Sequence, residues 1–160
     1  MTRRMQVGLS REGENAVTNE EHYRKLERMY LSAPINAYYG PTIHISAGQA
    51  QVTIPVRREL FHAADAVHGA VYFKLLDDAA FFAANSVVHD VFLLTVSFTV
   101  YFTRPISEGE MRATGRVVHR SRRLVIAEAE LVDSAGREIG RGSGTFMRSS
   151  TALTSVEGYQ

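Results

Sequence analysis

From Phe92 to Thr103 apolar and polar residues alternate without a break. Phe92, Leu94, Val96, Phe98, Val100 and Phe102 share one face, and Thr95, Ser97, Thr99, Tyr101 and Thr103 share the other. A period of two predicts a strand with one buried side. Three further strands are predicted over about 111–119, 123–132 and 138–148. They are separated by turns at Arg120-Ser121 and Asp133-Ser-Ala-Gly136, and Pro105–Glu110 turns into the first of them. Upstream, Ile43, Ile45 and Ala47 alternate, Gly48-Gln49 turns, and Val52, Ile54 and Val56 alternate again, which predicts a hairpin over 42–56. Between hairpin and long strand, residues 67–88 are rich in Ala and Leu and lack a clean polar face. They predict a helix buried nearly all round. A shorter helix starts at Asn19, with Glu20 and Glu21 at the positive end of its dipole. It carries Leu26, Met29 and Tyr30 as a stripe and ends at Pro34.

The order is helix, hairpin, long buried helix, then four strands joined by short turns. Without βαβ alternation, the strands are expected to pair antiparallel and wrap the central helix, an α+β arrangement. The 160 residues suit a single domain, read here as 19–149. Residues 1–18 are expected to form a flexible arm and 150–160 a flexible tail.

Composition narrows the chemistry. The chain has no cysteine, so disulfides, thiolate nucleophiles and iron–sulfur clusters are excluded. With 18 Lys+Arg against 17 Asp+Glu, it lacks the footprint of a nucleic-acid binder. No apolar run reaches the roughly 18–20 residues needed to span a bilayer, and no secretory apolar core follows Arg3-Arg4. A cytoplasmic protein with no membrane partner is expected.

Asp77 and Asp78 stand in the middle of the apolar helix. Lys74 lies one turn before Asp78 on the same face and can pair with it. Asp77 has no such neighbour: positions i−4, i+3 and i+4 are Phe73, Ala80 and Phe81. A carboxylate there needs hydrogen bonds or a water-lined pocket, or its pKa rises. It is either an Asp at a helix surface or subunit seam, satisfied by water, or a general base or nucleophile in a cleft. His68-Gly69 opens the helix, where free N–H groups and the positive dipole end suit a developing oxyanion. Such a pair is also an ordinary helix start. His22, His44, His89 and His119 show no metal spacing, and no phosphate loop or Gly-x-Ser-x-Gly elbow occurs, so no metal site is expected.

The stretch His68-Gly-Ala-Val-Tyr-Phe-Lys-Leu-Leu-Asp77-Asp-Ala-Ala-Phe-Phe-Ala-Ala-Asn-Ser86 resembles the His-Gly-Gly…Asp helix of hotdog-fold acyl-CoA thioesterases. The nearest type is the PaaI-like (phenylacetic acid degradation-type) family. The later pattern fits as well: Thr95-Val-Ser-Phe-Thr-Val-Tyr-Phe-Thr-Arg-Pro105, then Gly109, Ala113, Val117-Val-His119, Asp133 and Gly136. The resemblance spans about residues 40–148. It implies a curved antiparallel sheet around the central helix, and homodimers or homotetramers built as dimers of dimers. The site it implies lies at the subunit seam, where Asp77 faces His68 and Gly69 of the partner subunit. Asp77 matches the catalytic carboxylate, Gly69 the glycine whose N–H polarises the thioester carbonyl, and Thr95 the hydroxyl that helps place water.

Three positions depart from the family pattern. His62 stands where an Asn usually contacts the thioester or water, Ala70 replaces the second Gly of the motif, and Ser121 replaces a turn Gly. Arg104, Arg122 and Arg123 lie near turns where they either meet coenzyme A phosphates or are simply solvated. Gly140-Arg-Gly-Ser-Gly144 falls inside a strand, where small residues admit a neighbouring backbone or a pantetheine arm. The leading expectation is hydrolysis of an acyl-CoA to free acid and CoA, needing no cofactor beyond the coenzyme A of the substrate. A non-catalytic acyl-CoA binding protein and a hotdog hydratase or dehydratase are the alternatives, and the His-Phe-Pro-type dehydratase motif is missing.

Overall fold

The computed structural model describes residues 12–160, with side chains from Asn19 onward. Helix α1 (Glu12–Ser32) is followed by a short helix, α2 (Pro34–Tyr39). The hairpin β1 (Thr42–Ser46) and β2 (Gln49–Pro55) leads to the central helix α3 (Gly69–Asn85). Strands β3 (Val91–Phe102), β4 (Glu110–Arg120), β5 (Leu124–Val132) and β6 (Glu138–Ala152) complete the chain. The six strands form one antiparallel sheet in the order β1-β2-β4-β5-β6-β3, curved around α3, which is the hotdog arrangement.

The ends of α3 are fixed by side chains. His68 caps the start, its Nδ1 accepting from the Ala70 N–H at 2.9 Å. At the other end the buried Asn85 amide donates to the Val88 and Val91 carbonyls and accepts from the Leu93 N–H at 3.1 Å. One fully partnered amide thus closes the helix and fastens the first residues of β3 to it. These caps make the helix shorter than the 67–88 read from composition. Along its length, α3 meets the sheet through small residues. A Cβ on Gly115 of β4 would lie 2.2 Å from the Ala79 carbonyl oxygen, so strand and helix backbones touch directly. Gly142 and Gly144 of β6 lie under the Phe98 ring, and Gly140 under Tyr72. The glycine-rich stretch therefore makes room for the protein's own side chains, not for a pantetheine arm.

Three expectations change. Helix α1 begins at Glu12 and not at Asn19, and the rest of the proposed arm, residues 1–11, lies outside the described residues. Pro34 does not merely end a helix; it occupies the first turn of α2, where its missing N–H costs nothing. The segment 150–160 is not a frayed tail. Strand β6 runs to Ala152, Leu153 is fully buried, and Tyr159 is buried with its hydroxyl 2.6 Å from His22 Nδ1.

Because the Ala79–Ala80 peptide cannot yield to a new methyl group, Gly115→Ala is expected to destabilise the fold by about 3 kcal/mol. Urea unfolding of the two proteins measures this, and an unchanged midpoint would mean that helix and sheet separate freely.

Candidate active site

Strand β3 does not alternate throughout. Thr95 pairs with Phe146 and Ser97 with Thr145, so Val96 is an extra residue opposite a single step of β6. This bulge shifts the phase of the strand. Beyond it Phe98, Val100 and Phe102 face the helix as expected. Before it, however, the helix side is taken by Leu93 and Thr95, while Leu94 turns outward and is 53% exposed. The regular alternation read from sequence put Thr95 on the opposite face from Phe98. The bulge corrects this and brings the Thr95 hydroxyl to α3, where it donates to Asp77 Oδ1 at 3.0 Å.

Asp77 and Thr95 lie on a cavity of about 520 Å³ between α1–α2, α3 and the start of β3, whose apolar lining includes Met29, Phe81, Phe82 and Phe92. Burial in this setting pushes the Asp77 carboxyl up to about 6. The Thr95 hydrogen bond opposes the rise, the neighbouring Asp78 charge adds to it, and the Lys74 ammonium opposes it. Asp78, as the spacing predicted, is paired: Lys74 Nζ lies 2.6 Å from its Oδ2, and the Tyr30 hydroxyl donates to the same oxygen at 2.9 Å. Lys74 in turn sits over the rings of Tyr30 and Tyr39, 5.3 and 5.1 Å from their centroids. Two adjacent carboxylates therefore have different surroundings: Asp78 is ion-paired, although burial still pushes its carboxyl up, whereas Asp77 has a single hydroxyl partner.

The remaining motif residues gather elsewhere. Val71 N–H and Ala70 N–H are used in capping α3, whereas the Gly69 N–H, at the first helical position, has no acceptor among the described residues. His62 is close by, its ring centroid 6.4 Å from that of His68, and both rings and Ala70 are exposed. The eight residue steps from Gly69 to Asp77 span about 12 Å along the helix axis. Within one chain the N–H and the carboxylate cannot converge on one reacting atom. Arg122 and Arg123 join Arg120 and Arg148 around an open hollow of about 820 Å³ whose lining holds no carboxylate. Arg104 is separate from them. Its backbone carbonyl accepts from the Tyr72 hydroxyl at 2.7 Å, near the opposite end of β6 and roughly 23 Å away by strand length. No cluster of three or more potential metal ligands occurs among the described residues.

A family model described as the thioesterase superfamily matches residues 65–139. A candidate esterase of Mycobacterium tuberculosis is 30% identical over 97 residues, covering 58% of this chain and 69% of that protein. The chain belongs to the thioesterase superfamily. Among solved structures, the E. coli PaaI protein from the phenylacetic acid degradation operon superposes with a TM-score of 0.77 at 22% identity, over 84% of this chain and 98% of that one. A thioesterase family protein from Silicibacter pomeroyi gives a TM-score of 0.73 at 27% identity, over 79% and 96%. Membership supports hydrolase chemistry for the chain.

Several cavity residues escaped the sequence reading. Tyr30 looked like one more core position in a helical stripe, and Phe81 and Phe82 like filling of a buried helix. Val156 and Glu157 lay in the presumed tail. The one available signal was the polar hydroxyl of Tyr30 four residues after Leu26.

Ionisation of Asp77 costs stability, and the sign follows from its pKa. The folded carboxyl titrates at about 6 against 3.8 for the ordinary group, so the folded chain binds the extra proton between those values. Stability is therefore lost as pH rises through this window. Asp77→Asn is expected to match wild type near pH 3 and to exceed it by roughly 2–3 kcal/mol above pH 7. Denaturant melts at both pH values measure the difference; an equal offset at both would show that the carboxyl is not desolvated.

Proposed function

We propose that the protein hydrolyses acyl-CoA thioesters to the free acid and CoA, acting in the cytoplasm as a homodimer or as a tetramer made of two dimers. The observation that carries this reading is Asp77, held by Thr95 and facing an apolar cavity of acyl-group character. The thioester carbonyl accepts a hydrogen bond from the Gly69 N–H of the partner subunit, at the positive end of α3. Asp77 then removes a proton from water, which adds to the carbonyl carbon and expels the CoA thiolate. Alternatively Asp77 attacks the carbonyl itself, expelling thiolate and forming an anhydride that water opens to acid and free carboxylate. Thr95 holds the carboxylate in line, while His62 and His68 flank the carbonyl. Ala70 narrows the space beside it. Arg122 and Arg123, with Arg104 from the opposite end of a subunit, provide forked donors for the coenzyme's phosphates.

Two features support assembly from two copies. Strand β3 is an edge of the sheet with one side of its ladder free, and an edge of 12 residues invites pairing with another strand. The separation of Gly69 from Asp77 supplies the chemical reason. No helix among the described residues is long and apolar enough to cross a membrane.

Asp77→Asn is expected to reduce thiol release from acyl-CoA by at least about 10³-fold, and wild-type kcat/KM to rise with pH to a plateau above about 6. Gly69→Pro removes the N–H at a position proline suits, since His68 already has the extended backbone it requires. Its Cβ also meets the exposed Phe102 ring at 3.1 Å, so Gly69→Ala, which adds the same Cβ and keeps the N–H, is the control. The proline variant should lose about 10²–10³ in turnover. Mixing the two inactive variants should restore roughly a quarter of wild-type activity, the share of sites left intact by random pairing. No recovery on mixing would mean that each chain holds its own site.

A further inference from the structure

The last eight residues form part of the cavity that holds Asp77. After β6, Leu153 enters the core, its N–H donating to the Asp90 carbonyl at 3.0 Å. A single 3-10 turn follows, and Val156 and Glu157 then line the cavity on the side facing α1–α2. A turn closes from Val156 to Tyr159 at 3.2 Å. Its Gly158 has φ +84°, and a Cβ there would strike Ser32 Oγ and the Met29 Cα, so the segment lies flush against α1. The chain then tucks the Tyr159 ring beneath α1. His22 Nε2–H donates to the Asn85 carbonyl at 3.0 Å, which leaves Nδ1 to accept from the Tyr159 hydroxyl at 2.6 Å. Burial, with His89 stacked at 4.2 Å and Lys25 nearby, keeps His22 neutral and holds that acceptor open.

Two buried anchors, Leu153 and Tyr159, therefore bracket two cavity-lining residues. The second anchor ends on Asn85, the residue that closes the helix carrying Asp77. We propose that Leu153–Gln160 is a specificity-determining wall of the acyl cavity, latched by Tyr159 onto His22, with Val156 setting the length of acyl group admitted. This rests on the acyl-CoA reading of the same cavity. Since Asp77, Asp78 and Glu157 outnumber Lys74 in the lining, the wall encloses a space suited to uncharged acyl groups and hostile to acyl groups ending in a carboxylate.

Butyl-CoA and dodecyl-CoA thioethers, which cannot be hydrolysed, test the wall by calorimetry on the assembled protein. Ending the chain at Ser155 is expected to raise the dodecyl-to-butyl affinity ratio about tenfold, and Val156→Trp to lower it by a similar factor. Tyr159→Phe should move the ratio in the direction of the truncation. If the truncated chain does not fold, the two substitutions decide the matter alone. A ratio unchanged in both substituted proteins overturns the proposal. Thiol release from butyryl-CoA and dodecanoyl-CoA, measured in parallel, separates the two readings. Absence of any release by wild type removes the hydrolase assignment, while the thioether ratio still decides the wall.

Discussion

Everything in this molecule hangs on the contact between Gly115 and the Ala79–Ala80 peptide. A helix enclosed by a curved sheet must be seated at a defined depth and rotation. Here backbone meets backbone at one point, with the alanines Ala79, Ala80, Ala83 and Ala84 buried along the same stretch. Such a seam admits no adjustment by rotamer. Asp77 is two residues before Ala79, about 200° around the helix. Pressing the Ala79 peptide against β4 therefore turns Asp77 the other way, to β3 and the cavity. Depth, rotation and the direction of the Asp77 carboxylate are one constraint.

The polar groups of the cavity show how charge is managed once that direction is set. Two carboxylates side by side in an apolar helix would repel each other, and both would be driven toward the protonated form. The ammonium of Lys74, backed by two aromatic faces and the Tyr30 hydroxyl, absorbs one of them. The other keeps a single hydroxyl partner and a pKa near the range where a proton can be taken and returned. Burial opposes the ionisation of Asp77, and the Thr95 hydroxyl alone offsets part of that cost by a side-chain hydrogen bond.

Much of this was legible in the sequence. The hairpin and all four later strands emerged within a few residues of their bounds, because each buries one face and so imprints a period on the chain, and the buried helix emerged from its Ala- and Leu-rich composition. Asp77 stood out since no residue one turn away could partner it, and Gly69 since it opened the same helix. What was not legible shares a common cause. Periodicity assumes regular pairing, so the extra residue at Val96 was invisible and Thr95 was assigned to the wrong face. Polarity was read as exposure, so the C-terminal segment looked frayed although Leu153 and Tyr159, spaced six apart, are its anchors. The separation of Gly69 from Asp77 could be counted, but the groups around each depend on contacts between distant segments, such as Tyr30 with Asp78.

The bulge at Val96 also bears on how such a site changes over generations. Point substitution can adjust the polarity of any position on a strand, yet it cannot alter which way that position points. Only gain or loss of one residue does that, and it turns over every side chain on one side of the change. A lineage that lost Val96 would present Leu94 to the helix and Thr95 to solvent in a single step, with no graded intermediate. Sequence drift in β3 can thus be extensive while its length at this point stays fixed, and one-residue gaps here would mark relatives in which the Asp77 partner has been replaced.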